Sequence, residues 1–405
     1  MVESRRVLIA STSRDRGALA AVRALGRAGW VVGVGTPEGG GVLGSSRYCQ
    51  RTHQIPRPRH DARGFIDGVT RAATQGDYQI AFGGNDDWMA ALSAYRDELP
   101  IQVVHPRYPV VQGVLDKIDI AEAARQVGLS YPHTVLATST SVRHWKGPVV
   151  VKCRAHWHPG QTRPHRIDAR QFASSAAAQP QIDLITDAGG IPILQRPVDG
   201  DLGAIIGLMR SGRLHARVQQ ESLRLWPTPH GMSARARTVA VDPSLALRSQ
   251  ELLRALDWHG LVELQFLTDA RGESHLIDIN GRFYGSLALA ERARPGLIDA
   301  WAQTSLSEYV PYLPDGRHGL RYSWWAGDLR RAKVERRHGL LADLAHTLIS
   351  GLAAQHSVWD LRDMAPAWQL TRERFVTPAN EVSATTSDGQ YPGQAGSPLP
   401  WTRAG

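Results

Sequence analysis

Leu264-Gln265-Phe266-Leu267-Thr268-Asp269-Ala270-Arg271-Gly272-Glu273-Ser274-His275-Leu276-Ile277-Asp278-Ile279-Asn280-Gly281-Arg282 reads as two β-strands joined by an Asp/Arg/Gly turn. Alternation along the second strand places Asp278, Asn280 and Arg282 on one face and sets Leu276 apart from Ile277 and Ile279. A carboxylate, an amide oxygen and a guanidinium then point the same way. Hard oxygen donors of this kind suit Mg²⁺, which is usually held by one or two protein carboxylates together with substrate phosphates. Alone, Asp-x-Asn-x-Arg more often marks the polar teeth of a half-exposed strand, so a metal site needs partners elsewhere in the chain.

Two lysines supply them. The 405 residues contain four lysines against 43 arginines. Lys117 opens the helical stretch Ile118 to Val127, and Lys152 ends the apolar run Pro148-Val149-Val150-Val151. Retaining a compact ammonium where nearly every other cation is arginine points to a phosphate oxygen in a tight pocket, hence to a nucleotide.

Composition sets the broad class. Hydrophobic residues at 42% and charged residues at 21% describe an ordinary globular protein, long enough for two or three domains. Cys49 and Cys153 are the two cysteines, which excludes a disulfide framework and fits the cytoplasm. The amino terminus leads into an apolar stretch of only four residues, too short for a secretory signal, and no run approaches a membrane span. The net charge of +9 and pI near 9.9 suit anionic small-molecule substrates; the arginines are scattered and form no nucleic-acid motif.

Along the chain, strands at 6–10, 30–34, 78–82 and 101–104 alternate with helices from about Gly17 to Ala28 and around Trp88, Ala91, Leu92 and Tyr95. This βαβ rhythm implies an open parallel sheet. Gly33-Val34-Gly35 runs into Pro37 and Glu38 in place of a helix-opening glycine, which argues against a Rossmann cofactor site. From about Thr377 the chain turns to Ser, Thr, Gly, Pro and Gln and is expected to be disordered.

Taken together, Leu-Asp-Lys-Ile at 115–118, Val-Val-Val-Lys at 149–152, Leu-Gln-Arg-Pro-Val-Asp-Gly at 194–200 and Ile-Asp-Ile-Asn-Gly-Arg-Phe-Tyr-Gly-Ser at 277–286 resemble the ATP-grasp superfamily, in its carboxylate–amine ligase branch. The resemblance runs from about Arg5 to about Asp363. It implies an α/β chain with the ATP-grasp fold: an N-terminal parallel α/β domain over 1–112, a small lid over 113–200, a larger catalytic half over 201–310 and a helical extension over 311–376. ATP would lie between lid and catalytic half.

Residue by residue, the resemblance gives Lys117 and Lys152 to the phosphates, the backbone at Gln195 and Val198 to the adenine edge, and Asp201 or Asp199 to the ribose. Asp278 and Asn280 become ligands of Mg²⁺, with Mn²⁺ as an alternative ion. Gln265 falls where most members carry a second acidic ligand, and Glu263, two residues earlier on the same face, is positioned to compensate. Arg282 matches an arginine that holds substrate carboxylate or acyl phosphate, and Arg235 and Arg237 are candidates for recognising a substrate carboxylate. In the loop 153–166 a single Gly160 replaces the usual glycine-rich cover. Arg154, His156, His158 or Arg163 are expected to supply donors instead, and Cys153, His156, His158 and His165 fit no common zinc spacing.

The implied reaction joins a small carboxylic acid, an amino acid among the candidates, to an amine through an acyl phosphate, releasing ADP and phosphate. The expected partners are small molecules and not nucleic acid or membrane, in a monomer or homodimer. Alternatives are an ATP-grasp module that binds nucleotide without ligating, an acyl-phosphate enzyme with a different nucleophile, and a nucleotide-linked dehydrogenase.

Overall fold

The computed structural model of the chain describes residues 4–155, 157–160 and 167–376; the tail expected to be disordered from Thr377 lies outside them. Three sheets form among the described residues. The first is parallel, in the order β3-β2-β1-β4-β5, from β1 (Arg6–Ala10), β2 (Val31–Thr36), β3 (Cys49–Gln54), β4 (Ile80–Gly83) and β5 (Gln102–Val103). Val7 to Ala10 are all fully buried, which is why β1 reads as an unbroken apolar run. Strand β3 escaped the sequence reading because it lies at an edge, with Gln50, Arg51 and Thr52 exposed in succession. The strand order reverses between β1 and β4. Their carboxyl ends therefore open a crevice, bordered by the loop Ser11–Asp15 and by Gly84-Asn85-Asp86.

The second sheet is antiparallel, β6-β9-β7-β8, from β6 (Thr134–Leu136), β7 (Val149–Cys153), β8 (Arg170–Phe172) and β9 (Pro192–Gln195). Val149, Val151, Cys153 and Leu194 form its core with Ile182 and Ile185 of the helix Gln179–Asp187. A period of two then sends Lys152 to the opposite face.

The third sheet has the order β14-β13-β10-β11-β12-β15-β16, from β10 (Asp201–Arg210), β11 (Arg213–Trp226), β12 (Met232–Val239), β13 (Gly260–Thr268), β14 (Ser274–Asn280), β15 (Arg321–Ser323) and β16 (Gln355–His356). The last two come from the stretch expected as a helical extension, so that stretch also completes an edge of this sheet. One face packs Ile205, Val262 and Leu264 on Leu252 and Leu253 of the helix Pro243–Ala255. The other packs Ile206, Val218 and Leu261 with Leu287 and Ala290, in a core continuous with Val7, Ile9 and Phe82 of the parallel sheet. The parallel and seven-stranded sheets thus share cores, while the four-stranded sheet has its own.

Simple alternation fails at one point of β14. Asp278 pairs with Gln265, but the next pair is Leu276 with Phe266, so Ile277 is a β-bulge. The bulge turns Leu276 into the same core as Ile279, three residues away, while Asp278 and Asn280 keep the face expected of them. No helix of the described residues is long and apolar enough to cross a membrane.

Candidate active site

Lys117 is the first residue of the helix Lys117–Gln126, whose N-cap Asp116 accepts from the backbone N–H of Ile118 and Asp119 at 2.9 and 3.3 Å. The Lys117 N–H donates to the carbonyl of Arg154 at 3.0 Å, which pins the helix start two residues past Lys152. From there the Lys117 ammonium, 3% exposed as a residue, bonds the Asp278 carboxylate on β14. Burial opposes ionisation of Asp278, but the charge and hydrogen bond of Lys117, followed by the charge of Lys152, hold its pKa below the usual carboxylate range. Lys152 is pushed down to about 8, by burial first and by Lys117 second, with Asp278 partly offsetting them. The ammonium groups of Lys117, on its helix, and Lys152, on β7, thus act on one carboxylate of β14.

Next to Asp278, Glu263 is 2% exposed and accepts from the amides of Asn280 at 2.8 Å and Gln265 at 3.0 Å. Burial lifts its pKa to about 7, although Asn280, Arg282 and Gln265 all pull it down. A buried carboxylate whose hydrogen-bond donors are neutral amides, beside a second carboxylate, is an oxygen-rich donor set that fits a hard divalent cation. The register explains the grouping: Glu263 faces Asn280 and Gln265 faces Asp278, so all four project from one face. Glu263 thus puts an acidic side chain on the face of Gln265 and Asp278, as its place two residues before Gln265 implies. Among the described residues, one cluster of three His, Cys, Asp or Glu side chains has its ligand atoms within 4.8 Å, namely Asp269, Glu273 and His275 in the β13–β14 turn. There Asp269 already accepts from the N–H groups of Arg271 and Glu273, both at 2.9 Å, as a turn cap.

Arg282 reaches the parallel sheet. Its Nε donates to Asp86 at 2.7 Å and its Nη1 to the Phe283 carbonyl at 2.8 Å, which ties the end of β14 to the crevice of the parallel sheet. Burial works against its charge, yet Asp86 and Asp15 hold its pKa above the ordinary value. Asp15, in turn, caps the helix Arg16–Arg27 through Gly17 and Ala18 and accepts from Ser11 Oγ at 2.7 Å. Neither aspartate was singled out from the sequence; their one signal is their place at the carboxyl ends of β1 and β4.

A family profile described as ATP-grasp in the biosynthetic pathway with Ter operon matches residues 211–327, a span that contains Glu263, Gln265, Asp278, Asn280 and Arg282. The fold is similar to an L-amino acid ligase from Bacillus licheniformis, with TM-score 0.59, 14% identity, and 76% of each chain covered. Residues 211–327 match an ATP-grasp family, and the chain has the ATP-grasp fold. Two further similar structures carry nucleotide. The biotin carboxylase domain of Hydrogenobacter thermophilus 2-oxoglutarate carboxylase, in complex with MgADP, gives TM-score 0.61 at 12% identity over 78% of this chain and 73% of that one. N5-carboxyaminoimidazole synthetase from Staphylococcus aureus, complexed with ADP, gives 0.58 at 12% over 78% and 80%. No curated protein sequence matches the chain.

Within this ATP-grasp fold, the other residues read from sequence divide. Lys152 pairs in register with Ile193, so Gln195, two residues on, lies on the same face of the small sheet as Lys152. Gln195 is buried and donates to Thr134 Oγ1 at 2.8 Å. Val198 is half-buried in the link to β10, and Asp199 and Asp201 are exposed. Arg154 is held by Asp116 at 2.6 Å and Asp119 at 3.5 Å, which replaces the expected phosphate contact with a clamp on the Lys117 helix. His158 is exposed and Cys153 buried in the sheet core, so the two face different surroundings; His156, Arg163 and His165 lie outside the described residues.

The arginine pair on β12 expected to recognise a substrate carboxylate is also redirected. Arg235 is bound to Asp328 and donates to Thr347 at 2.7 Å, and to His346 and Ser350 at 3.1 Å. These partners belong to the helices Trp325–Glu335 and Leu340–Leu352, on the side of the sheet opposite Ala236 and Tyr322. Arg237 is exposed and paired with Glu221 at 2.9 Å. Both guanidiniums are committed to the protein, Arg235 to the C-terminal helices and Arg237 to Glu221 on β11.

Proposed function

We propose that the protein is an ATP-dependent carboxylate–amine ligase. The observation that carries this is the meeting of Lys117 and Lys152 with Asp278 and Glu263 across two sheets. In the proposed reaction a carboxylate oxygen attacks the γ-phosphorus of ATP, the bond to the β–γ bridging oxygen breaks, and ADP leaves. An amine then attacks the acyl carbon of the acyl phosphate, phosphate departs with the bonding electron pair, and the amine proton passes to phosphate or solvent.

Bringing two anions together needs neutralisation at fixed positions. Lys117 and Lys152 supply it at the phosphates, with Gln195 at the end of β9, Val198 in the link that follows and Asp201 at the start of β10 holding adenine and ribose. Arg282, aimed by Asp86, orients the carboxylate between the phosphates and the crevice of the parallel sheet. Glu263, Asp278 and Asn280, with Gln265 beside them, would hold Mg²⁺, which adds charge neutralisation at the phosphate oxygens when bound. The likeness to an L-amino acid ligase supports an amino acid among the substrates, at the level of fold.

Hydroxylamine trapping tests the proposal. With ATP, Mg²⁺ and a panel of carboxylic acids, hydroxamate and ADP should appear for at least one acid, and Lys152→Ala should abolish both. Nucleotide binding without hydroxamate for any acid would identify a non-ligating nucleotide module instead.

A further inference from the structure

Arg16 is the first residue of the helix Arg16–Arg27, where aligned peptide dipoles disfavour a cation. Its guanidinium is half-buried, 3.8 Å from the centroid of the Trp324 ring. Its polar contacts among the described residues are to neutral atoms: Nη1 to the Tyr322 hydroxyl at 3.4 Å and Nη2 to the Met232 sulfur at 3.7 Å. A cation is thus drawn from water onto an aromatic face, at the unfavourable end of a helix, with no anion beside it among the described residues. Arg14 and Arg217, equally half-buried, are met by the carboxylates of Glu373 and Asp315, and a ligand carboxylate would give Arg16 the same partner.

The surroundings place that ligand on the sheet face that carries Asp278 and Glu263. A Cβ added to Gly285 would lie 2.8 Å from Arg16 Nη2, and the next residue, Ser286, accepts from Gln220 Nε2 at 2.8 Å. Gln220 is 3% exposed, and its Oε1 has no hydrogen-bond partner among the described residues. In register, Gln220 lies opposite Ala204, Ala204 opposite Gln265, and Gln265 opposite Asp278. Directly opposed residues share a face, so Gln220 projects on the side that carries Asp278 and Glu263. The Tyr322 hydroxyl senses both ends: burial raises its pKa, the Arg16 charge lowers it, and Glu263 raises it.

We propose that Arg16 and Gln220 bind the amine substrate, Arg16 taking a carboxylate that does not react and Gln220 Oε1 taking an N–H of the amine, which makes that substrate an amino acid. This rests on the ligase function proposed above. The planar guanidinium offers a two-point match to a carboxylate. The same carboxylate chemistry is also present in the far end of a dicarboxylic acyl donor, so the two sources are separated in the test.

The MgADP-bound protein is titrated calorimetrically with each of the twenty L-amino acids, with the matching decarboxylated amines, and with succinate, glutarate and their monoamides. At least one amino acid should bind about tenfold or more tighter than its decarboxylated amine, the scale of a charge-assisted bidentate contact. Arg16→Gln should erase that preference without changing MgADP affinity, and Arg16→Lys should restore part of it. Preference confined to the dicarboxylates would overturn the amino-acid assignment. Preference that survives in Arg16→Gln, or is absent from the wild type in every panel, would overturn the role of Arg16. Carboxylate-dependent binding without hydroxamate in the trapping assay would refute ligation and leave Arg16 standing; hydroxamate with intact preference in Arg16→Gln would do the reverse.

Discussion

The Lys117 ammonium, at the start of a helix beside the four-stranded sheet, bonds the Asp278 carboxylate on the edge strand of the seven-stranded sheet, 161 positions along the chain. The two members are unequally wet: the Lys117 side chain is 4% exposed and that of Asp278 27%. Asp278→Asn therefore leaves a buried cation with less to face, and is expected to lower stability by about 3 kcal/mol, the low end for breaking a buried pair. Lys117→Met should cost less, because water and Lys152 still attend the carboxylate. Urea unfolding of both single variants and the double variant gives the coupling; strictly additive losses would show that the pair does not interact.

Much of this was legible because it is local chemistry. A lysine closing a valine run, a lysine after a capping aspartate, and an acidic strand after a tight turn each carry their own signal. What the sequence hid depends on register and on neighbours far away in the chain. The bulge at Ile277 leaves no mark in a period of two, yet it decides which side Leu276 faces. The hydrogen bond from Asn280 to Glu263 depends on a register between β13 and β14 that neither segment shows alone. Arg235 looked available because the two helices that consume it lie about a hundred residues downstream. Arg16 and Asp86 gain meaning only where the parallel sheet meets the turn after β14.

Nucleotide affinity should depend on pH through Lys152. Phosphate selects the ammonium, but in the ligand-free protein burial and Lys117 bring this group to about 8. Below pH 8 the charge is already present. Above it, binding must take up a proton, so ADP affinity should fall by up to roughly tenfold per pH unit. Lys152→Arg keeps its charge throughout and should bind with a flatter profile between pH 7 and 9. Calorimetry in buffers of different ionisation enthalpy reads the proton uptake directly; equal slopes for both proteins would contradict it.

Two helical glycines should respond to alanine with opposite signs. In the helix Tyr108–Leu115, a Cβ on Gly113 meets nothing within 4 Å, so Gly113→Ala should stabilise by about 0.5–1 kcal/mol through helix propensity alone. At Gly17 the same Cβ would lie 2.6 Å from both the backbone N and O of Tyr284, where the helix docks on the turn after β14. Backbone cannot swing aside as a side-chain tip can, so Gly17→Ala should destabilise by about 1–3 kcal/mol despite its better propensity. Chemical denaturation of the two variants in parallel decides; a stabilised Gly17→Ala would mean that this docking is looser than described.

Glu291 provides a stability switch away from the cleft. Its Oε1 accepts from the Gly296 N–H at 2.7 Å and its Oε2 from Ile298 at 3.2 Å, bracing the start of the helix Leu297–Ser305. Those bonds favour the ionised form, but burial outweighs them and raises the pKa from 4.5 to about 7. With a folded pKa above the unfolded one, the contribution of this group is fully present below pH 4.5 and is lost as pH rises through 7. Glu291→Gln keeps an acceptor that never ionises. Its melting temperature relative to wild type should therefore climb between pH 5 and 8, by several degrees if the full shift applies. The difference between the two proteins cancels every other titrating group, so a constant offset across that range would mean that Glu291 ionises in the folded state as it does in the unfolded chain.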